Sequence, residues 1–347
     1  MNPTQHETVS GPTTDGVVGG TEAASVDRPA GALANRRSSK RTRKTTARTP
    51  WRTSIRRDWQ LYSFALLPLI FLAIFRYGPM LGNVIAFRRF RPGGNIFGDE
   101  WVGFRYVEMF VKDPAFWHVF LNTVVLGALT LVVCFPLPIV LALSLNEVRK
   151  KHFKKITQSI SYLPHFLSIV IIVGIVMQLL SLQGTVNQLI TTFGGEAIPF
   201  LQRAEWFRVF YVGSEVWQTI GWGSILYLAA LTTVDKSLYE AARIDGAGRL
   251  QQTWHVTLPG IRPTMATLLI LNIGSFLNVG FEKVLLLYNP LTYSTGDVIS
   301  TYLYRVGFVS NNLSYAAAIG LFQALIGLAM VLSANFVSRR ALGTSLW

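Results

Sequence analysis

The sequence predicts an all-α integral membrane protein with six membrane-crossing helices. Half of its 347 residues are hydrophobic, only 14% are charged, and the mean hydropathy is +0.37. Soluble domains carry about a quarter charged residues. Apolar runs long enough for a hydrocarbon core of about 30 Å, roughly 20 residues each, recur six times. Lys and Arg cluster in some connecting segments and are sparse in others, which is how a bilayer orients a chain.

Residues 1–57 are rich in Thr, Ser, Gly, Ala and Arg and show little apolar periodicity. They read as a disordered basic arm. Between Arg36 and Arg57 there are ten Lys/Arg and no Asp or Glu. Such a block suits anionic headgroups and a cytoplasmic anchor, and nucleic acid is not expected as a partner. A membrane domain follows over residues 58–347. Its spans are expected at 61–80, 120–143, 159–180, 207–231, 264–288 and 315–337. Pro136, Pro138 and Pro164 lie inside two of them, where neighbouring helices must satisfy the freed carbonyls. Residues 181–206 and 289–312 read as loops.

A polar island separates the fourth and fifth spans. Ser237 and Glu240 are spaced as a capping box, so a helix is expected to begin there. Gly246 falls where a helix C′ glycine belongs. A second helix fits Arg249–Thr257, with Pro259 as its stop. Leu250, Trp254 and Leu258 recur at i, i+4 and i+8 and give that helix one apolar face. Helix, glycine turn and helix also describe a DNA-reading motif, but such a domain is not threaded between spans.

Glu240-Ala241-Ala242, three residues, Gly246, nine residues, Val256, one residue and Leu258-Pro259 resembles the EAA loop of ABC importer permeases. That family usually has Ile where this chain has Val256. The resemblance implies the six-helix permease fold with a cytoplasmic coupling helix-turn-helix at 237–263. It also implies that Glu240, Ala241, Ala242, Asp245, Gly246, Leu258 and Pro259 couple the chain to a separate ATPase. Phe281–Leu291 and Gly296–Arg305, with Arg76–Met80 and Trp101–Phe104, are similar to the oligosaccharide and polysaccharide permeases served by lipoprotein binding proteins. The likeness begins near residue 60. It implies a heterodimer with a second homologous permease, two ATPase subunits, an extracellular lipoprotein binding protein and a carbohydrate cargo, neutral or acidic. The EAA loop itself does not specify cargo, so an ABC permease for a non-sugar solute stays open.

The basic arm, the 144–158 loop and Arg339-Arg340 place both termini and the island in the cytoplasm of a bacterial cell. Arg88, Arg89, Arg91, Arg105 and Lys112 oppose this from the first external segment. Cys134 is the sole cysteine, which excludes a disulfide within the chain. No nucleotide-binding P-loop and no metal-ligand spacing occurs, so no cofactor is expected and ATP falls to the partner ATPase. The spans lack the clustered acids and imidazoles of a membrane enzyme. Trp217, Gln218, Trp222, Tyr227, Asn272, Asn278 and Glu282 are the candidates for the substrate path. Aromatic rings can stack on sugar faces and amides can bond hydroxyls, although such groups also join helices to one another. Glu282 and its neighbour Lys283 read as residues of the membrane rim.

Overall fold

The protein is described by a computed structural model over residues 59–342, and the basic arm expected at 1–57 lies outside these residues. The chain divides into Met1–Ser63 and Phe64–Trp347. Of the first unit only residues 59–63 are described, and they open helix α1, Trp59–Leu72.

The second unit is helical apart from a small hairpin. Helical structure runs on from α1 to Phe87 through a π turn, Ala73–Tyr77, and a 3₁₀ stretch, Gly82–Phe87. Strands β1, Arg88–Arg89, and β2, Glu100–Trp101, pair antiparallel, with Arg88 opposite Trp101. Helix α2 covers Arg105–Lys112, α3 Pro114–Cys134, α4 Pro136–Glu147, α5 Lys151–Tyr162, α6 Ile169–Leu180 and α7 Thr185–Thr192. Then follow α8, Ala204–Leu231, α9, Lys236–Ile244, α10, Arg249–Gln252, and α11, Leu258–Gly274. Helices α12, Phe281–Leu287, α13, Tyr293–Gly296, α14, Ile299–Tyr304, and α15, Leu313–Leu342, complete the described chain.

Among the described residues, five helical segments are long and apolar enough to cross a membrane: Trp59–Phe87, Pro114–Glu147, Ile169–Thr192, Arg249–Gly274 and Leu313–Arg340. The fourth expected span is the 28-residue α8, which is long enough but not among the five. Its Gln, Ser, Gly and Glu residues dilute its apolar content. This suits its place, because much of the surface of α8 packs on α3, α4, α5, α6 and α11, while Val209, Trp217, Trp222 and Leu226 keep an exposed apolar strip.

Three expected spans are interrupted, the run 120–143 only at the single turn residue Phe135 between α3 and α4. The run 159–180 begins in α5, breaks at the 3₁₀ turn Leu163–Phe166 and restarts at α6, whose N-cap Ser168 accepts from the Ile171 N–H. Pro164 cannot donate to the preceding turn, which accounts for the break. The run 264–288 ends as a helix at Gly274 and resumes as α12 at Phe281. The segments expected as loops also hold structure. Helix α7 lies in the first, where buried Asn187 donates to the Ser181 and Ile198 carbonyls and accepts from the Ile198 N–H. Helices α13 and α14 lie in the second.

Three apolar clusters hold the unit together. Phe110, Phe116, Ile299 and Ile319 join α2, α3, α14 and α15. Leu126, Val173, Tyr211 and Val284 join α3, α6, α8 and α12. Ile139, Ala142, Tyr227 and Ile261 join α4, α8 and α11. Helix α8 contributes to the last two, so it is the post around which the others stand.

Candidate functional site

The polar island folds as a helix-turn-helix whose second helix runs on into the segment Arg249–Gly274. Helix α9 starts two residues earlier than the Ser237–Glu240 spacing suggests. Its N-cap is Asp235, whose carboxylate accepts from the Ser237 N–H at 2.9 Å. That bond holds the Asp235 carboxyl below its usual range. The reason is simple competition: Asp is as good a cap as Ser, and here it lies two residues ahead. At the other end Gly246 is left-handed, φ 78°. The Gly246 N–H donates to the Arg243 carbonyl at 3.1 Å and the Ala247 N–H to the Ala242 carbonyl at 2.8 Å. These are the paired bonds of a Schellman turn, and glycine is favoured at its αL position.

The second helix does not stop at Pro259. A π turn, Thr253–Thr257, carries α10 straight into α11, with the Leu258 N–H reaching five residues back to Thr253. The wider turn makes room for a ring that has no N–H to place. The same device precedes Pro79, where the Gly78 N–H reaches Ala73. Tyr239 donates to the Thr257 hydroxyl at 3.1 Å and ties the two halves of the island together. Arg249 meets Glu147 at 3.9 Å, so the island lies at the same end as the basic segment that follows α4. Of the expected apolar face, Leu258 packs against the core, while Leu250 and Trp254 stand in the open, Trp254 at 63%. Ile244, 86% exposed, extends that surface. Glu240, Ala241, Asp245 and Pro259 are also exposed, and Ala242 is half-buried.

A second site lies among the spans. A cavity of about 570 Å³ is lined by α3, α4, α8 and α11 and by the helix interruptions themselves, within the roughly 300–1,000 Å³ of ligand pockets. Phe135 between α3 and α4, His165 in the break before α6, and Ser275 to Gly280 between α11 and α12 all face it. Irregular backbone at membrane depth is tolerated where it lines a cavity or is buried in protein. Three interruptions therefore converge on one space.

Four of the expected path residues line this cavity: Gln218, Tyr227, Asn272 and Asn278. Trp217 and Trp222 do not. Trp222 stacks on His165 from outside, with ring centroids 4.5 Å apart and planes 4° apart. Glu282 is exposed and points elsewhere. Lys283 is no rim residue: it is buried in the cavity wall and its Nζ donates to Glu215 Oε2 at 2.5 Å. The same ammonium lies 5.7 Å from the Tyr211 ring centroid, and the Tyr211 hydroxyl accepts from the Gly280 N–H at 3.1 Å. One turn of α8 thus grips both the start of α12 and its lysine.

Sequence reading passed over Glu215, Tyr211, His165 and Thr130. Glu215 carried a signal, as an acid eleven residues into α8, with a lone lysine in the next span to answer it. The Thr130 hydroxyl and His165 Nδ1 are buried with no hydrogen-bond partner, and nothing in their local sequence marks them.

A helical membrane unit with a cavity of mixed polar and apolar lining at its helix breaks and a helix-turn-helix between two spans defines a transport subunit. Residues 134–343 match the family described as the binding-protein-dependent transport system inner membrane component, and the chain belongs to that family. It is a multi-pass membrane permease subunit and not an enzyme. It is 44% identical to Protein LplB of Bacillus subtilis (strain 168) over 84% of this chain and 92% of that one. It is 46% identical to the polygalacturonan/rhamnogalacturonan transport system permease protein YteP of the same strain, over 81% and 88%. A chain in the crystal structure of a bacterial ABC transporter involved in the import of the acidic polysaccharide alginate is 43% identical, with a TM-score of 0.79 over 84% of this chain and 99% of that one.

Proposed function

We propose that this permease carries an oligosaccharide or polysaccharide fragment bearing uronate groups. An external lipoprotein binding protein delivers it, and a pair of separate ATPase subunits drives the step. A second homologous permease completes the path, and the chain itself binds no cofactor. The observation that carries the reading is the cavity where three helix interruptions meet, lined by the amides of Gln218, Asn272 and Asn278 and by the Tyr227 ring. Amides and aromatics are what a sugar needs for hydrogen bonds and stacking. The acidic character is supported by the relatives, one named for polygalacturonan and one solved as an importer of alginate.

The exposed Ile244, Leu250 and Trp254 form the surface that docks in the ATPase. Glu240, Ala241, Ala242, Asp245, Gly246, Leu258 and Pro259 shape that surface. The island faces the cytoplasm with both termini and with the basic arm 1–57, because it shares an end with Lys150, Lys151, Lys154 and Lys155. Arg88, Arg89 and Arg91 then face outward beside the hairpin and suit the acidic face of a binding protein. The test is uptake of labelled sugars by a strain lacking this gene, across neutral and uronate-bearing oligosaccharides. Loss of uronate uptake alone supports the reading, and unchanged uptake of every sugar with loss of a peptide or metal ends it.

A further inference from the structure

Lys283 and Glu215 form an ion pair on the cavity wall. An ion pair held out of water is a poor way to join two helices, because apolar residues of the same volume usually do so as well or better. Stability therefore gives no reason for these charges. Their exposure is unequal: the lysine side chain is 3% exposed and the glutamate 25%. The cation is anchored over the Tyr211 ring, and the anion is the partner with access to the cavity.

At rest the two charges cancel, and the wall offers no net field to a passing sugar. A carboxylate entering such a space without a cation would have to shed its hydration for nothing. If it takes the place of Glu215 on Lys283, one carboxylate is exchanged for another, the charge on the lysine stays matched, and the displaced Glu215, a quarter exposed, is hydrated by water in the cavity. We propose that Lys283 is the carboxylate-binding residue of the transport path and that Glu215 is a built-in stand-in for the cargo's own carboxylate, displaced as the sugar passes. The unpartnered Thr130 hydroxyl and His165 Nδ1 line the same cavity, and they supply hydrogen bonds for the sugar's hydroxyls. This inference rests on the uronate reading above and names the residue within it that selects the acid.

The test uses the assembled importer in proteoliposomes with its loaded binding protein. It reads labelled trigalacturonate uptake against ATP hydrolysis stimulated by that protein. The double variant E215Q/K283M leaves no lone charge. It is expected to keep stimulated hydrolysis within twofold and to lose at least tenfold in uptake. E215Q alone keeps the cation and is read as uptake per ATP hydrolysed, so that loss of assembled complex through the stranded Lys283 cancels. It is expected to transport far more sugar per ATP than the double variant, and it also serves if the double variant fails to assemble. Uptake and hydrolysis falling together, or neither falling, in the double variant would make the pair a mere strut. A tenfold loss of uptake per ATP hydrolysed in E215Q would likewise overturn the exchange. A wild-type complex that hydrolyses ATP but imports no trigalacturonate would overturn the cargo reading itself, a result distinct from all of these.

Discussion

Gly221 lies where α8 crosses the end of α5, and a Cβ added there would sit 2.0 Å from the Ser161 carbonyl oxygen. The obstacle is backbone and cannot swing aside. Gly213, two turns earlier on the same helix, has nothing within 4 Å of its Cβ position. Alanine is better than glycine in a helix by about 1 kcal/mol, so the two sites should respond with opposite signs. Gly213→Ala is expected to leave the melting temperature in detergent unchanged or raised. Gly221→Ala is expected to lower it, since overpacking costs about 1–3 kcal/mol. The ion pair gives a second contrast at this scale. Lys283→Met alone strands Glu215, and breaking a buried pair costs about 3–5 kcal/mol. Partial exposure of the glutamate puts the loss near the lower figure. Adding Glu215→Gln should recover most of it, and a melting-temperature cycle over the four proteins measures the recovery.

At the scale of the element, the island's two halves have different jobs. Its inner side is self-contained: the Asp235 cap, the Schellman turn at Gly246 and the Tyr239–Thr257 bond hold it without help. Its outer side, with Trp254 and Ile244, has no intramolecular duty. Trp254→Ala should therefore leave the melting temperature of the isolated chain unchanged and sharply reduce ATPase subunits recovered with it. Gly246→Pro should do more, because proline forbids a positive φ and removes the N–H donated to Arg243. The cap makes the first turn of α9 acid-sensitive. The Asp235 carboxyl titrates lower in the fold than in an unfolded chain, chiefly through the Ser237 N–H. Its contribution is thus complete above the ordinary Asp value of about 3.9 and fades as pH falls through the lowered one. A spin label at Lys236 should gain mobility in that acid window, and Asp235→Asn, which keeps an acceptor but does not ionise, should abolish the transition.

For the whole molecule the sharpest expectation is topological. With Cys134 replaced, single cysteines at Ser39, Thr192 and Arg249 divide the two sides. An impermeant thiol reagent on intact cells should reach Thr192 alone, and labelling at Ser39 or Arg249 would reverse the orientation. Span positions and the island were readable along the chain because both are local demands. A segment that meets lipid must be apolar for about 20 residues, and a glycine turn with flanking caps writes itself into adjacent positions. The pore was not readable in this way. Pro164, expected to be tolerated inside a continuous span, lies at one interruption, and the break at Ser275–Gly280 carries no proline. It persists because side chains of neighbouring helices satisfy its freed backbone groups: the Tyr211 hydroxyl accepts from the Gly280 N–H and Gln323 donates to the Leu277 carbonyl. Gln218, Tyr227, Asn272 and Asn278 line the cavity while Trp217, Trp222 and Glu282 do not, a division that residue type does not make, since side-chain direction depends on which helix lies next door. Glu215 and Lys283 sit 68 positions apart. Their pairing follows only when α12 packs against α8, because a charge inside a membrane protein is tolerable where folding brings it a partner, and the order of residues along a chain does not say where that is.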